Sequence, residues 1–176
     1  MSTTMTQLDS MPASSADAQQ RYRVIAPYVA GAQVLAAQFM RCPQRGKDMV
    51  QDALEKALQT THFPVPQKAK PWFLQVVRHR CLDELRLLQR HSDDAALAEL
   101  IAPQPDPLQA HRQTVVQQAL ALLPQEQRDL LVLREFNDCS YADIAMIVGI
   151  PEGTVMSRLH RARMAMRTAL QQLGER

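Results

Sequence analysis

Arg158, Arg161, Arg163 and Arg167 stand in one stretch with no acidic residue among them. A guanidinium is a planar fork of donors that fits a guanine edge or a phosphate. Thr154, Ser157 and His160 are interleaved with them and add short donors and acceptors. At helical spacing, Val155, Leu159, Ala162, Met166 and Ala169 or Leu170 fall on one face. Thr154, Ser157, Arg158 and Arg161 fall on another, flanked by Arg163 and Arg167. Arginine-bearing helices are common, so this face alone would read as merely solvated. The residues ahead of it decide otherwise. Ser140 and Asp143 have capping-box spacing, with Asp in the usual Glu/Gln place. Ile144, Ala145, Ile147 and Val148 then form a short apolar face, and Gly149 suits a left-handed turn. Ile150 can plug the core beneath that turn, and Pro151 and Glu152 favour a new helix start. A capped helix, a glycine turn and an arginine-faced second helix make a helix-turn-helix, the layout that places side chains in the major groove.

A second basic stretch, Lys70–Arg90, sets five basic residues against Asp83 and Glu84. Upstream, Lys47–Thr60 points Met49, Val50, Ala53, Leu54, Ala57 and Leu58 one way and presents Asp48, Gln51, Asp52 and Glu55 on a polar, acidic face. Enzymatic chemistry finds no support. There is no glycine-rich phosphate loop, no HExxH and no Ser/His/Asp grouping. Cys42, Cys81 and Cys139 are far apart and odd in number, without metal-ligand spacing, so they read as small hydrophobes in a reducing compartment. No cofactor or metal is expected.

These patches must be carried by helices. The 176 residues include only five glycines, few aromatics and no long β-branched run, which favours an all-α chain. The net charge of +2 leaves nucleic-acid affinity to local patches rather than a global field. Residues 1–19 read as a disordered polar tail. Arg21–Met40 reads as a helix bent or restarted at Pro27, with a new start at Pro43. Thr61–Lys70 reads as a loop and Pro71 opens a helix to about Arg90. Residues 92–109, with prolines at 103, 105 and 107, read as a flexible linker with room for a short helix near Ala95–Leu100. Helices follow over Leu108–Leu122 and from Pro124 to about Phe136, then the helix-turn-helix. The expected architecture is two small helical domains, 20–91 and 110–176, joined by that linker. No apolar run approaches a membrane span, and the N-terminus lacks a signal-peptide centre, so a soluble cytoplasmic protein is expected.

Three segments in this order resemble the extracytoplasmic-function sigma factors, small sigma subunits of bacterial RNA polymerase. Asp48–Ala57 is similar to the family's polymerase-binding helix. Trp72–Arg86 is similar to its promoter-melting helix, and Leu123–Arg163 to its C-terminal DNA-binding domain, most closely at Gly153-Thr154-Val155 and Ser157–Arg163. The resemblance covers roughly Arg21–Leu170. It implies that Asp48, Gln51, Asp52, Glu55 and Leu58 dock on core RNA polymerase. It implies that His62 and Phe63 help build a pocket for a base drawn from the minus-ten element. Lys68 and Lys70 would lie near the DNA backbone, with Arg78, His79, Arg80 and Arg86 at the edge of the melted region. Trp72 is assigned to the core, and Asp83 to orienting arginines. Thr154, Met156, Ser157, Arg158, His160, Arg161 and Arg163 would contact the minus-thirty-five element, Arg158 and Arg163 through phosphate. The resemblance further implies promoter DNA as ligand and an anti-sigma factor, often membrane-anchored, as partner. This chain departs from the family at His79, where Asn is usual, at Met156, where Lys or Arg is frequent, and in the proline-rich loop before Trp72. The rival reading is a stand-alone helix-turn-helix regulator.

Overall fold

The computed structural model describes residues 15–91 and 110–174. Every regular element among them is helical. The first lobe contains α1 (Ser15–Ile25), a 3-10 turn (Ala26–Tyr28), α2 (Val29–Met40), α3 (Pro43–Gln59) and α4 (Pro66–His91). The second contains α5 (Ala110–Leu122), α6 (Gln125–Leu131), a π-type turn (Val132–Phe136), α7 (Tyr141–Val148) and α8 (Glu152–Gly174).

Proline sets several of these boundaries. Pro27 interrupts the first helical stretch at the 3-10 turn, and Pro43 opens α3. Arg41, with φ 48°, ends α2 in the left-handed region. Two expected boundaries are corrected. The expected tail reaches residue 19, but α1 already starts at Ser15. The expected loop reaches Lys70, but α4 starts at Pro66 and carries Pro71 inside it. Pro71 is the sixth residue of α4, past the first four N–H groups that lack partners, so it removes one intrahelical bond, and it is buried there. The expected linker, 92–109, and residues 1–14 lie outside the described residues.

In the first lobe the core is built from Ile25, Leu35, Phe39, Val50, Ala53, Phe73, Leu74 and Val77. Gly46 lets α3 approach the backbone of Ala36 and Ala37, where a Cβ would collide with main-chain atoms. In the second lobe Leu123, Leu130, Leu133, Ile144, Ile147, Val155 and Leu159 are buried. The buried apolar residues of both lobes join into one continuous cluster. Three contacts carry the junction: α4 packs on α7, while α2 meets α6 and the π-type turn.

Candidate nucleic-acid interface

The helix-turn-helix is built as its residues dictate. Ser140 caps α7, its hydroxyl accepting from the Asp143 N–H at 3.1 Å, while the Asp143 carboxylate accepts from the Ser140 N–H at 3.0 Å. Gly149 closes α7 at φ 77°, a left-handed conformation with no room needed for a side chain. The Pro151 carbonyl then accepts from the N–H groups of Thr154 and Val155, starting α8. Val155, Leu159, Ala162 and Ala169 are buried beneath, with Met166 and Leu170 half-buried. Met156, Ser157, His160 and Arg161 are exposed on the outer side, and Thr154 is half-buried. Ser157 donates to the Thr154 carbonyl at 3.0 Å. Arg158 pairs with Glu126 at 3.3 Å and Arg163 with Glu135 at 2.9 Å. Both pairs are solvent-accessible, so a phosphate can compete for either arginine at little cost. Arg134 donates to the Cys139 carbonyl and stacks on Tyr141, which commits it to holding the turn before α7.

In the first lobe, Asp48, Gln51 and Glu55 are exposed along α3, with Gln51 donating to Glu55 at 3.4 Å. Leu58 is half-buried beside them. Asp52 is drawn toward α4 by Arg80, whose Nη2 lies 2.9 Å from the carboxylate. Arg80 also pairs with Glu84 at 3.0 Å, so it ties α3 to α4 instead of standing free. Phe63 is half-buried and meets Trp72 edge-on, with ring centroids 5.6 Å apart. Trp72 packs against the core, as expected. Arg21 stacks over Phe63 and donates to the carbonyls of Leu58 and Thr60, closing the C-terminus of α3. Phe63, Pro64 and Pro66 line one side of a cleft of about 260 Å³, with Asp17, Gln20, Arg21 and Val24 opposite. His62 is exposed, with Nδ1 2.8 Å from the Thr61 hydroxyl. Lys68 and His79 are exposed, and Arg86 is exposed beside Asp83 at 3.0 Å, the orienting contact expected of that carboxylate.

Two predicted DNA contacts face the second lobe instead. Lys70 donates to the Asp138 carbonyl at 3.3 Å, and Arg78 Nε lies 3.7 Å from Asp129 Oδ2. Sequence reasoning missed the other side of this contact. Arg128, 1% exposed, donates to the carbonyls of Gln38 and Leu123. Asn137 is buried and faces Gly31 of α2. No periodicity marks these residues, because their partners are distant in the chain. Cys81 and Cys139 are buried as expected, and burial pushes their thiols up to about 12 and about 11, which keeps both protonated and inert. Among the described residues no group of His, Cys, Asp and Glu could hold a metal, and no helix is long and apolar enough to cross a membrane.

The family model for sigma-70 region 2 matches residues 28–91, and that for sigma-70 region 4 matches residues 113–166. The RNA polymerase sigma-H factor of Pseudomonas aeruginosa is 30% identical over 154 residues, covering 79% of this chain and 80% of that one. The ECF RNA polymerase sigma factor SigL of Mycobacterium tuberculosis is 32% identical over 136 residues, covering 74% and 77%. SigM of the same species is 34% identical over 128 residues, and the chain spans 65% of its length. Among solved structures, the sigma factor RpoE in complex with the anti-sigma factor NepR from Bartonella quintana superposes with a TM-score of 0.72 at 23% identity, covering 87% of this chain and 98% of that one. CnrH, solved with the cytosolic domain of CnrY, gives 0.64 at 20% identity, covering 91% and 93%. The two matched regions fall on the two lobes in the order the sequence motifs require, and the chain belongs to the extracytoplasmic-function family of RNA polymerase sigma factors.

Proposed function

We propose that the chain binds core RNA polymerase, recognises the minus-ten and minus-thirty-five promoter elements, opens the DNA and so initiates transcription. The observation that carries this reading is the capped helix-turn-helix, with Ser157, His160 and Arg161 exposed on α8, joined to a lobe with the acidic face of α3 and the basic α4. Asp48, Gln51, Asp52, Glu55 and Leu58 form the polymerase-docking face, where complementary charge steers approach and apolar neighbours supply burial. The Phe63 cleft receives an unstacked base, with the exposed His62 next to Phe63 in the chain contributing and Lys68 near the backbone. Arg86 and His79 contact the edge of the melted region, and Lys70 and Arg78 join them once freed from the second lobe. Arg80 acts by holding Asp52 in place. In α8, Thr154, Met156, Ser157, His160 and Arg161 read base edges, while Arg158 and Arg163 hold phosphate.

The chain itself performs no bond chemistry; the polymerase does. Residues 20–91 and 110–176 act as the two functional domains and 92–109 as their tether. The RpoE structure is a complex with an anti-sigma factor and the CnrH structure a complex with a cytosolic domain, which supports an anti-sigma partner here and a cytoplasmic site of action.

Run-off transcription with core polymerase on genomic fragments tests the proposal. Initiation at defined start sites is expected, and Arg161→Ala is expected to reduce it about tenfold or more, within the range of one bidentate base contact. DNA binding at a palindrome without any polymerase-dependent initiation would instead support a stand-alone regulator.

A further inference from the structure

We propose that Met156 reads the C5-methyl group of a thymine in the minus-thirty-five element, so that it sets promoter choice through an apolar contact. The inference rests on the reading that α8 enters the major groove there. Gly153, Met156, Ser157, His160 and Arg161 are exposed and follow one another at intervals of three and one residues, so they share the outer face of α8. Met156 is the one apolar side chain among them, 59% exposed, and it fills no part of the core. It stands at the leading end of α8, four residues after Glu152. One turn earlier Gly153 offers no side chain, and a Cβ there would meet nothing within 4 Å. The surface beside Met156 is therefore open, and its unbranched chain can extend toward a groove floor.

The chemistry of the side chain selects the base. A thioether has no hydrogen to donate and is a weak acceptor, so it can neither grip a phosphate nor match the donor and acceptor pattern of a purine edge. Among the groups that base pairs present in the major groove, the thymine methyl is the apolar one. Contact between the two takes apolar surface of both out of water. The neighbours of Met156 have other work. Ser157 donates to the Thr154 carbonyl, and Arg158 and Arg163 are paired with Glu126 and Glu135 beside the face. His160 and Arg161 remain for hydrogen-bonded edges. Thr154 carries the other methyl at this end of α8, but it is half-buried and its side chain is short. An arginine or lysine at position 156 would favour guanine instead, so the methionine changes which promoter is chosen rather than how firmly DNA is held.

The test uses holoenzyme reconstituted from the full chain and core polymerase, on a promoter mapped by run-off transcription. Each thymine of the minus-thirty-five element, on either strand, is replaced in turn by deoxyuridine, which keeps every hydrogen-bonding atom and loses only the methyl. One position, or two neighbours, should weaken binding about fourfold in the parent, the scale of one methyl group leaving an apolar contact. Met156→Ala should lose about as much on the thymine duplex and show no further loss with deoxyuridine there. Met156→Leu should keep the sensitivity, and Met156→Arg should move the preferred base pair at that position toward G·C. Met164→Ala, at an exposed methionine two turns further along α8, should behave as the parent. An element in which no deoxyuridine weakens the parent would overturn the methyl contact. So would a sensitivity that Met156→Ala retains in full, which would assign the methyl to Thr154. Either result leaves the promoter-recognition reading intact. Binding indifferent to scrambling of the whole upstream element removes base reading by α8, and the methyl contact falls with it.

Discussion

The carboxyl of Asp129 is almost wholly withdrawn from water, and burial pushes its pKa up to about 7, against the lowering pull of the Gln125 hydrogen bond and of Arg78 and Arg128. The groups facing it are Arg78 and Cys81 from α4, and Gln125, Glu126 and Arg128 on α6 itself. A folded-state pKa raised above the ordinary 3.8 means that the folded molecule binds the proton more tightly than the unfolded one. The resulting stability is fully present below about 4 and is lost as pH rises through about 7. Relative to Asp129→Asn, the parent should therefore gain stability on acidification within that window, by at most about 1.4 kcal/mol per pH unit for one proton. Urea unfolding at a series of pH values measures the difference, and parallel curves would show that Asp129 does not titrate there. Arg80 and Arg86 form a second contrast between neighbours on one helix. Arg80 is 20% exposed and bridges two carboxylates on two helices, while Arg86 is 68% exposed and pairs only with Asp83. Arg80→Gln should destabilise the chain by about 1–2 kcal/mol, and Arg86→Gln should stay within about 0.5 kcal/mol of the parent. Equal effects in denaturant melts would remove Arg80 from its positioning role.

At the scale of elements, the helix-turn-helix is specified almost entirely by neighbours in the chain. Ser140→Ala removes the cap of α7 and should cost about 1 kcal/mol. Gly149→Ala meets open space, so its cost is backbone alone, about 1–2 kcal/mol for an L-residue at φ 77°. Thermal melts of both variants check these values, and a neutral Gly149→Ala would mean that the turn relaxes out of the left-handed region. This locality is why the capping box, the turn and the inward positions of α8 could be read from sequence. The start of α4 could not. Pro66 and Pro71 each suit the first helical turn, and only packing decides that the earlier one opens the helix while the later is absorbed within it. The positions of α4 side chains were legible to the same degree. The periodicity places Val77 inward, yet nothing in it says that Arg78 meets a carboxylate in the other lobe while His79 meets water. Such pairings join residues far apart in the chain, and helical period carries no information about them.

For the molecule as a whole, the question is whether the two lobes unfold as one body. Their buried apolar residues form one cluster across α2, α4, α6, α7 and the π-type turn, so separating the lobes exposes core as well as polar contacts. Coupling of that kind makes unfolding of one lobe remove part of the other's stability, and the pair should then melt in a single transition. The opposing terms at the junction, namely buried guanidinium nitrogens without partners and a buried carboxyl near its midpoint, keep the coupling modest rather than overwhelming. Gly31→Leu is expected to wedge the lobes and weaken the coupling while leaving each lobe's own core untouched, because position 31 is half-exposed on α2 and a Cβ there would meet Asn137 Oδ1. Scanning calorimetry should accordingly show one peak for the parent, with van't Hoff and calorimetric enthalpies equal. The wedge variant should show two peaks, or one broadened peak whose van't Hoff enthalpy falls below the calorimetric value. Two resolved transitions already present in the parent would mean that the lobes are energetically independent in spite of their shared apolar cluster.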